Sequence, residues 1–534
     1  MSDSRSKNLI RAEQLLNEGK FDEALQIVLA LEKRVPMALN DQLIYLLLKS
    51  ALMNRLGSYE NAINLANQAY QLSQELDKPL KQIEALLNLI EGLWRLGNHD
   101  DALAMIIEGE KTFKVIKERY PSKFVQIKAS LMYHRGVVYR NTGDLDLALD
   151  YSQKSLKLQQ ENNLVRDSAY SLNIIGIIYF QKGQLNQALE CYQKSLVLHK
   201  KLNNTQYIAK CLNNIGEVYR NKGELDRSLE YYQLGLAQFE KIGNKSDIAH
   251  ALHNIGLIYQ GKGDLNRAIE YYEQGLVLNE EIGNNTDISD SLFQLVSVAI
   301  DNNTLEMAQN YLQRLQQLKV SSENKIIRQR KQVAEALLLK TSDRMLQKAN
   351  AQEIFQQVAE EEIVYHEVTV AALLNLCDLL LYELRISDEL EVLDEVKGLV
   401  NRLLEIAKEQ HSYWLLVETY VLKSKLALLE LDIKSAQQLL DQAQLTAEEM
   451  GLQGLTLRLS HERDSFQNQT DRWELFIEDN APMSKRLDLA QLNIQIRQMA
   501  QRRLEFTKKE ILAYAKEAKD FVQRVEERKN KADN

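Results

Sequence analysis

The sequence predicts an all-α protein, a solenoid of stacked helical hairpins that ends in a long C-terminal helix. Three observations carry this. Prolines stand only at 36, 79, 121 and 482 of 534 residues, and 45% of the residues are hydrophobic, so the chain is neither loop-dominated nor short of core material. The chain also repeats itself: Gly136, Gly176, Gly216 and Gly256 lie 40 apart, as do Tyr139, Tyr179, Tyr219 and Tyr259, then Gly143, Gly183, Gly223 and Gly263. A fixed interval of this size marks stacked supersecondary units. Finally, the units that carry these columns each hold two apolar runs at helical spacing with a glycine between them.

Taken in order along one unit, Ile174, Ile175, Ile178 and Tyr179 form the apolar side of a first helix. Lys182-Gly183 ends it, glycine supplying the left-handed residue after the last turn; Asn303 takes that role in a later unit. Leu185, Ala188, Leu189, Tyr192 and Leu196 then begin a second helix. Ala148, Ala188, Ser228 and Ala268 share one column, where the paired helices cross too closely for a larger side chain. Between units, Ile242-Gly243-Asn244 and Ile282-Gly283-Asn284 stop the second helix, and Asp247 and Asp287 are expected as N-caps of the next. The in-register tyrosines are expected in the core.

The spacing Gly, seven on to Gly, five on to Ala, with Tyr three after the first Gly, resembles the tetratricopeptide repeat family in its lengthened form. It is similar to the repeats of kinesin light chain and of peptide-sensing receptors of the Rap and Rgg type. The resemblance implies a right-handed α-solenoid of closely packed antiparallel hairpins. Residues 126–322 carry the regular array. Residues 1–125 read as degenerate repeats, where Gly19–Ala24, Gly57–Ala62 and Gly97–Ala102 keep the turn signature. Residues 323–463 read as looser hairpins, with Leu431 and Ala436 an echo of the pattern. The polar stretch 464–485, with Pro482, reads as a linker or short terminating helix, and 486–534 as the long C-terminal helix.

That last helix has 13 Lys/Arg against 8 Asp/Glu over 484–534, and Leu504, Ile511, Ala515, Ala518, Val522 and Val525 approach a heptad interrupted by Lys508. Three readings stay open: a cap folded on the last hairpin, a coiled-coil homodimer, or a basic surface for a partner.

Elsewhere, 66 Lys/Arg against 75 Asp/Glu give a net charge of −9, which argues against nucleic acid as a partner. With neither an apolar run of spanning length nor an apolar leader, no membrane role is expected. Cys191, Cys211 and Cys377, odd in number and without a CxxC pair, fit a reducing compartment, and a cytoplasmic location is the expectation. Cys191 stands where Tyr231 and Tyr271 stand in sister units and reads as a buried small residue.

Neighbouring hairpins must stack to bury their apolar faces, which leaves an extended concave wall. The resemblance places the first helix of each repeat on that wall, two, five, nine and twelve residues into it. On this chain those positions include Tyr133 and Arg140; Tyr170, Asn173 and Phe180; Lys210, Asn213, Glu217 and Arg220; His250 and His253. Asn214 and Asn254 stand one beyond the fifth position, where related repeats use asparagine to hold a peptide backbone.

A carboxamide matches the N–H and C=O of an extended chain. Each net hydrogen bond gives about 0.5–1.5 kcal/mol, whereas a micromolar complex needs about 8 kcal/mol. Aromatic pockets at Tyr133, Tyr170 and Phe180 would have to supply the remainder. The asparagines have a second reading, in which they bond a neighbouring repeat and hold no ligand. His250 and His253, near Glu217 and Asn213, could bind zinc with the Glu217 carboxylate, but a pH-sensitive peptide contact is the better reading.

No phosphate loop, GxGxxG, HExxH or GxSxG motif is present, so no enzyme activity and no cofactor are expected. The sequence therefore predicts a non-catalytic scaffold or adaptor that binds an extended peptide or partner segment on its concave wall. The alternative is a peptide-switched regulator whose C-terminal helix responds to the ligand.

Overall fold

The computed structural model describes residues 2–18, 21–32, 37–319, 324–387 and 389–501. Among the described residues all regular structure is helical, and the helices follow one another in packed pairs joined by short turns. The chain divides into two compact units, Met1–Cys211 and Leu212–Asn534.

In the first unit the pairs include Leu39–Arg55 with Tyr59–Glu75, Pro79–Arg95 with His99–Lys111, Pro121–Thr142 with Leu145–Glu161, and Val165–Gln181 with Leu185–Lys201. A short helix, Phe113–Arg119, interrupts the series before Pro121. The second unit continues with Leu225–Ile242, Lys245–Gly261 paired with Leu265–Ile282, Asn285–Asp301 with Leu305–Gln317, and Lys325–Lys340 with Met345–Glu360. His366–Ser387 with Leu390–Glu409 and Tyr413–Leu429 with Ile433–Glu449 complete it, followed by Gln453–Glu478. The turn signature at Gly19 lies outside the described residues.

Two glycine columns serve different physical ends. Gly143, Gly183, Gly223 and Gly263 all have positive φ, between 71° and 87°, and Asn303 adopts φ 59° in their place. The helical glycines are there for space. A Cβ on Gly176 would come within 2.6 Å of the Tyr192 ring, one on Gly216 within 2.8 Å of Tyr232, and one on Gly256 within 2.7 Å of Tyr272. Those three tyrosines are fully buried, so each paired helix drives a ring into the groove that glycine leaves open.

The alanine column is likewise buried, and Ser228 is tolerated in it because its Oγ donates to the Gly216 carbonyl at 2.8 Å. The other tyrosine column is less deeply placed than expected. Tyr219 and Tyr259 are buried, but Tyr139 and Tyr179 are only half-buried. Tyr139, Tyr219 and Tyr259 stack on Tyr151, Tyr231 and Tyr271 with centroids 5.4–5.7 Å apart. Cys191, at the position that Tyr151, Tyr231 and Tyr271 hold in sister units, is half-buried rather than buried.

The expected caps were displaced by three residues. Asn244 and Asn284 are the N-caps, accepting from the backbone N–H groups of Ser246 and Asp247 and of Thr286. Asp247 and Asp287 instead accept from the Asn244 and Asn284 carboxamides at 2.9 and 2.8 Å. The asparagine gains because it caps the helix and also donates to the first-turn acid.

The polar stretch beginning at 464 does not break the helix. Gln453–Glu478 runs through it, because Phe466 and Trp473, seven apart, are both buried. The chain breaks at 479–482, and two short helices follow, Met483–Ala490 and Leu492–Ala500, divided at Gln491 with φ 52°. The expected heptad from Leu504 to Val525 lies outside the described residues. Within the second unit the Gly454 N–H donates to the Lys222 carbonyl at 3.3 Å. Backbones meet so closely there that a Cβ on Gly223 would lie 3.2 Å from the Gly454 Cα.

Candidate functional site

The first helix of each hairpin carries the candidate residues, and the two units furnish them differently. In the first unit Arg55 and Arg95 both donate to Glu91, at 2.9 and 3.1 Å. The Arg95 guanidinium lies 4.7 Å from the Trp94 ring. Burial disfavours the Arg55 charge, yet Glu91 and the phenols of Tyr207, Tyr170 and Tyr133 outweigh it and raise its pKa. Three predicted or newly seen tyrosines from three helices therefore share the field of one guanidinium.

Tyr133 packs edge-on against His134, and burial lowers the His134 pKa to about 4. Tyr170 and Tyr207 meet edge-to-face at 4.5 Å, and the Asn204 amide donates to the Tyr170 hydroxyl at 3.2 Å. Lys210 Nζ lies 5.3 Å from the Tyr207 ring centre. Arg140 is half-buried and donates to the neutral Asn141 carboxamide. Burial depresses its pKa, with Arg95 adding to the depression and the phenols of Tyr133 and Tyr192 opposing it. Phe180 is half-buried, whereas Asn173 is buried, its Oδ1 facing the Cys211 thiol at 3.8 Å. Val137, at a wall position by register, is core.

In the second unit the predicted residues answer one another. Asn254 donates to Asn213 at 3.2 Å, a bond from one repeat to the next. Burial works against the Glu217 carboxylate, but Arg220 and the hydrogen bonds from Tyr232 and Asn221 hold it below the usual carboxylate range; the Tyr232 hydroxyl donates at 2.6 Å. His253 Nδ1 stands 3.8 Å from Asp290, and Asp290 also receives Arg330 at 2.7 Å. His250 is exposed and Asn214 half-buried. The suggested zinc set is not assembled. Glu217 is committed to Arg220 and His253 faces Asp290, and among the described residues no three His, Cys, Asp or Glu side chains converge on a metal position.

Sequence reasoning missed what lies on the next first helices of this unit. Met483–Ala490 and Leu492–Ala500 pack on His366–Ser387 and Tyr413–Leu429. Asp378 is buried between Lys340 at 2.5 Å and Arg497 at 3.3 Å. Burial penalises its charge, but Arg497 and Lys340 prevail and draw its pKa down to about 2. Glu418, also buried, accepts from Arg458 at 2.6 Å and from Gln495. Lys425 donates to the Ala490 carbonyl at 3.1 Å, and Gln501 reaches Asp301 at 3.0 Å. A signal existed: Asp378, Glu418 and Lys425 are charges inside otherwise apolar first helices, and buried charges are rare unless paired.

Stacked hairpins with polar and aromatic first helices define a tetratricopeptide-type helical-repeat protein, a class that presents extended concave surfaces. The family model described as the MalT-like TPR region matches residues 132–453, more than half of the chain, and the chain belongs to that family. No curated protein matches it.

Among solved structures, the chain is similar to a Rap protein complexed with competence and sporulation factor. That match has 14% identity, 77% of this chain and 99% of the other covered, and a TM-score of 0.47. It is also similar to the apo quorum sensor NprR from B. thuringiensis, at 16% identity, 66% and 98% coverage and a TM-score of 0.45. A putative kinesin light chain from Podosopora anserina matches at 15% identity, 34% and 90% coverage and a TM-score of 0.31. Among the described residues no helix is long and apolar enough to cross a membrane.

Proposed function

We propose that the protein is a non-catalytic scaffold that holds an extended segment of a partner protein on its first-helix faces. In Met1–Cys211 the contact residues are Tyr133, Arg140, Tyr170, Asn173, Phe180 and Lys210. In Leu212–Asn534 they are Asn213, Asn214, Glu217, Arg220, His250, His253 and Asn254.

The observation that best supports this reading is that Met483–Gln501 already lies on first helices of the second unit, held through Asp378, Glu418 and Lys425. Such a face accepts polypeptide. Aromatic rings supply most of the affinity, because a few amides at about 0.5–1.5 kcal/mol each cannot. The test is partner capture on immobilised full chain, read by mass spectrometry. Combined Tyr133→Ala, Tyr170→Ala, Asn213→Ala and Asn254→Ala should lose partners that a Lys154→Ala/Lys194→Ala control, on second helices, retains. Equal recovery contradicts the reading.

The same observation favours a second reading, a peptide-switched regulator. A segment that competes for the faces of His366–Ser387 and Tyr413–Leu429 must release Met483–Gln501, and with it whatever the C-terminal stretch contacts. Limited proteolysis of the full chain with and without a captured partner reads this directly, since release makes 483–501 newly cleavable.

A further inference from the structure

On the first helices of Met1–Cys211 two arginines share one carboxylate and a third bonds to a neutral amide. Arg55, Arg95 and Arg140 come from three successive first helices, Leu39–Arg55, Pro79–Arg95 and Pro121–Thr142, and Glu91 lies between the first two guanidiniums. Glu84, seven residues earlier on the Glu91 stripe, is occupied by Lys81 at 2.7 Å. Glu91 is shared by two guanidiniums, and the bonds from Arg140 go to a neutral amide.

A desolvated guanidinium without a carboxylate is costly, and a ligand carboxylate beside it would relieve that cost. Aromatic rings share and continue this row of helices: Tyr133 is on Pro121–Thr142 with Arg140, and Tyr170 and Tyr207, on the next two first helices, meet edge-to-face at 4.5 Å, offering hydroxyls and ring faces. Planar forked donors next to phenol hydroxyls suit carboxylates, which accept bidentate bonds from arginine.

We infer that the first-helix face of Met1–Cys211 is a recognition site for an acidic peptide segment, with Arg55, Arg95 and Arg140 receiving its carboxylates and Tyr133, Tyr170 and Tyr207 packing its intervening side chains. This rests on the peptide-binding reading above and adds the charge of the ligand. Nucleic acid is the less fitting anion. The chain as a whole carries −9, and three arginines are few against the phosphate contacts that sustain nucleic-acid binding.

The test presents immobilised full chain with a pool of random synthetic dodecapeptides, and in a separate arm with an oligothymidylate of equal length. Retained peptides are sequenced by mass spectrometry. The expected pool is shifted to net negative charge, and Arg140→Gln should weaken a retained acidic peptide about tenfold, the loss of one charge-assisted bond. Arg55→Gln/Arg95→Gln/Arg140→Gln should abolish the charge bias, with Arg140→Lys partly restoring it; unchanged helical melting shows that each variant folds, and Lys210→Gln provides a further folded variant.

Peptides retained without acidic bias, or a bias that survives the triple variant, overturn the inference while leaving the peptide reading standing. Retention of no peptide overturns both, and retention of oligothymidylate alone assigns the site to nucleic acid.

Discussion

The two units share one scaffold and differ in what their first helices do with charge. In Leu212–Asn534 nearly every candidate group has an internal answer: Arg220 has Glu217, Arg330 has Asp290, Asn254 has Asn213, and Asp378 has both Lys340 and Arg497. In Met1–Cys211 two guanidiniums share Glu91, and Arg140 faces a neutral amide. The repeat therefore fixes backbone and core, while side chains at the exposed register decide whether a face is satisfied by its own chain or suited to a foreign one.

The largest expected effect breaks the satisfied side. Asp378→Ala leaves the half-buried Lys340 and Arg497 without the buried carboxylate they share, which should cost up to about 3–5 kcal/mol. In hydrogen exchange of the full chain, protection should fall across 483–501 while Pro121–Thr142 stays unchanged. Retained protection of 483–501 would show that apolar packing alone holds that segment.

Acid acts on the same carboxylate. Its pKa is about 2 in the folded chain and about 3.9 when unfolded. A depressed carboxylate stabilises above its unfolded value, so its contribution is complete above about pH 4 and lost as pH falls toward 2. Proteolysis by an acid protease at the 483–501 segment should accelerate in that window, and a release midpoint near neutrality would contradict it.

The shared scaffold is tested by Gly176→Ala in the first unit and Gly256→Ala in the second. Each new methyl meets a buried tyrosine ring, Tyr192 or Tyr272, at under 3 Å. Overpacking of this kind costs about 1–3 kcal/mol, and urea unfolding should register comparable losses for both. A much smaller loss in one unit would show that its hairpins are looser.

The smallest effect sharpens the comparison. Arg140→Gln should change stability by less than about 1 kcal/mol, or raise it slightly, since it removes a desolvated charge bonded to a neutral group. A loss of several kcal/mol in the same measurement would make Arg140 a structural residue.

Most of the fold was legible because each requirement falls at the same place every 40 residues. The turn glycines and the alanine column could be read from residue type alone, as backbone and space demands. The helical glycines could not be explained without their partners, although Tyr192, Tyr232 and Tyr272 repeat in the same register and state the reason. The caps were misread because asparagine and aspartate both cap, and only geometry shows that Asn244 starts the helix one residue before Lys245. Polarity left 464–485 open between a linker and a short helix, and Gln453–Glu478 runs into the stretch because Phe466 and Trp473 keep one face apolar across it.

The site was legible in part. Register put Tyr133, Tyr170, Arg140 and Lys210 on the first helices of their hairpins, and they belong to Pro121–Thr142, Val165–Gln181 and Thr205–Asn221. It missed Arg55, Glu91 and Arg95 because the degenerate repeats gave no reliable phase, and Tyr207 because it stands at the start of its helix, ahead of the wall positions used. It also missed Asp378 and Glu418, since the docking of residues 483–501 is a long-range event that no local pattern announces.

One measurement bears most directly on the first unit as the ligand face: hydrogen exchange of the full chain with and without a saturating acidic dodecapeptide from the retained pool. Slowed exchange should concentrate in Pro121–Thr142, Val165–Gln181 and the start of Thr205–Asn221. Protection confined to Leu145–Glu161 and Leu185–Lys201, the second helices of those hairpins, would contradict it.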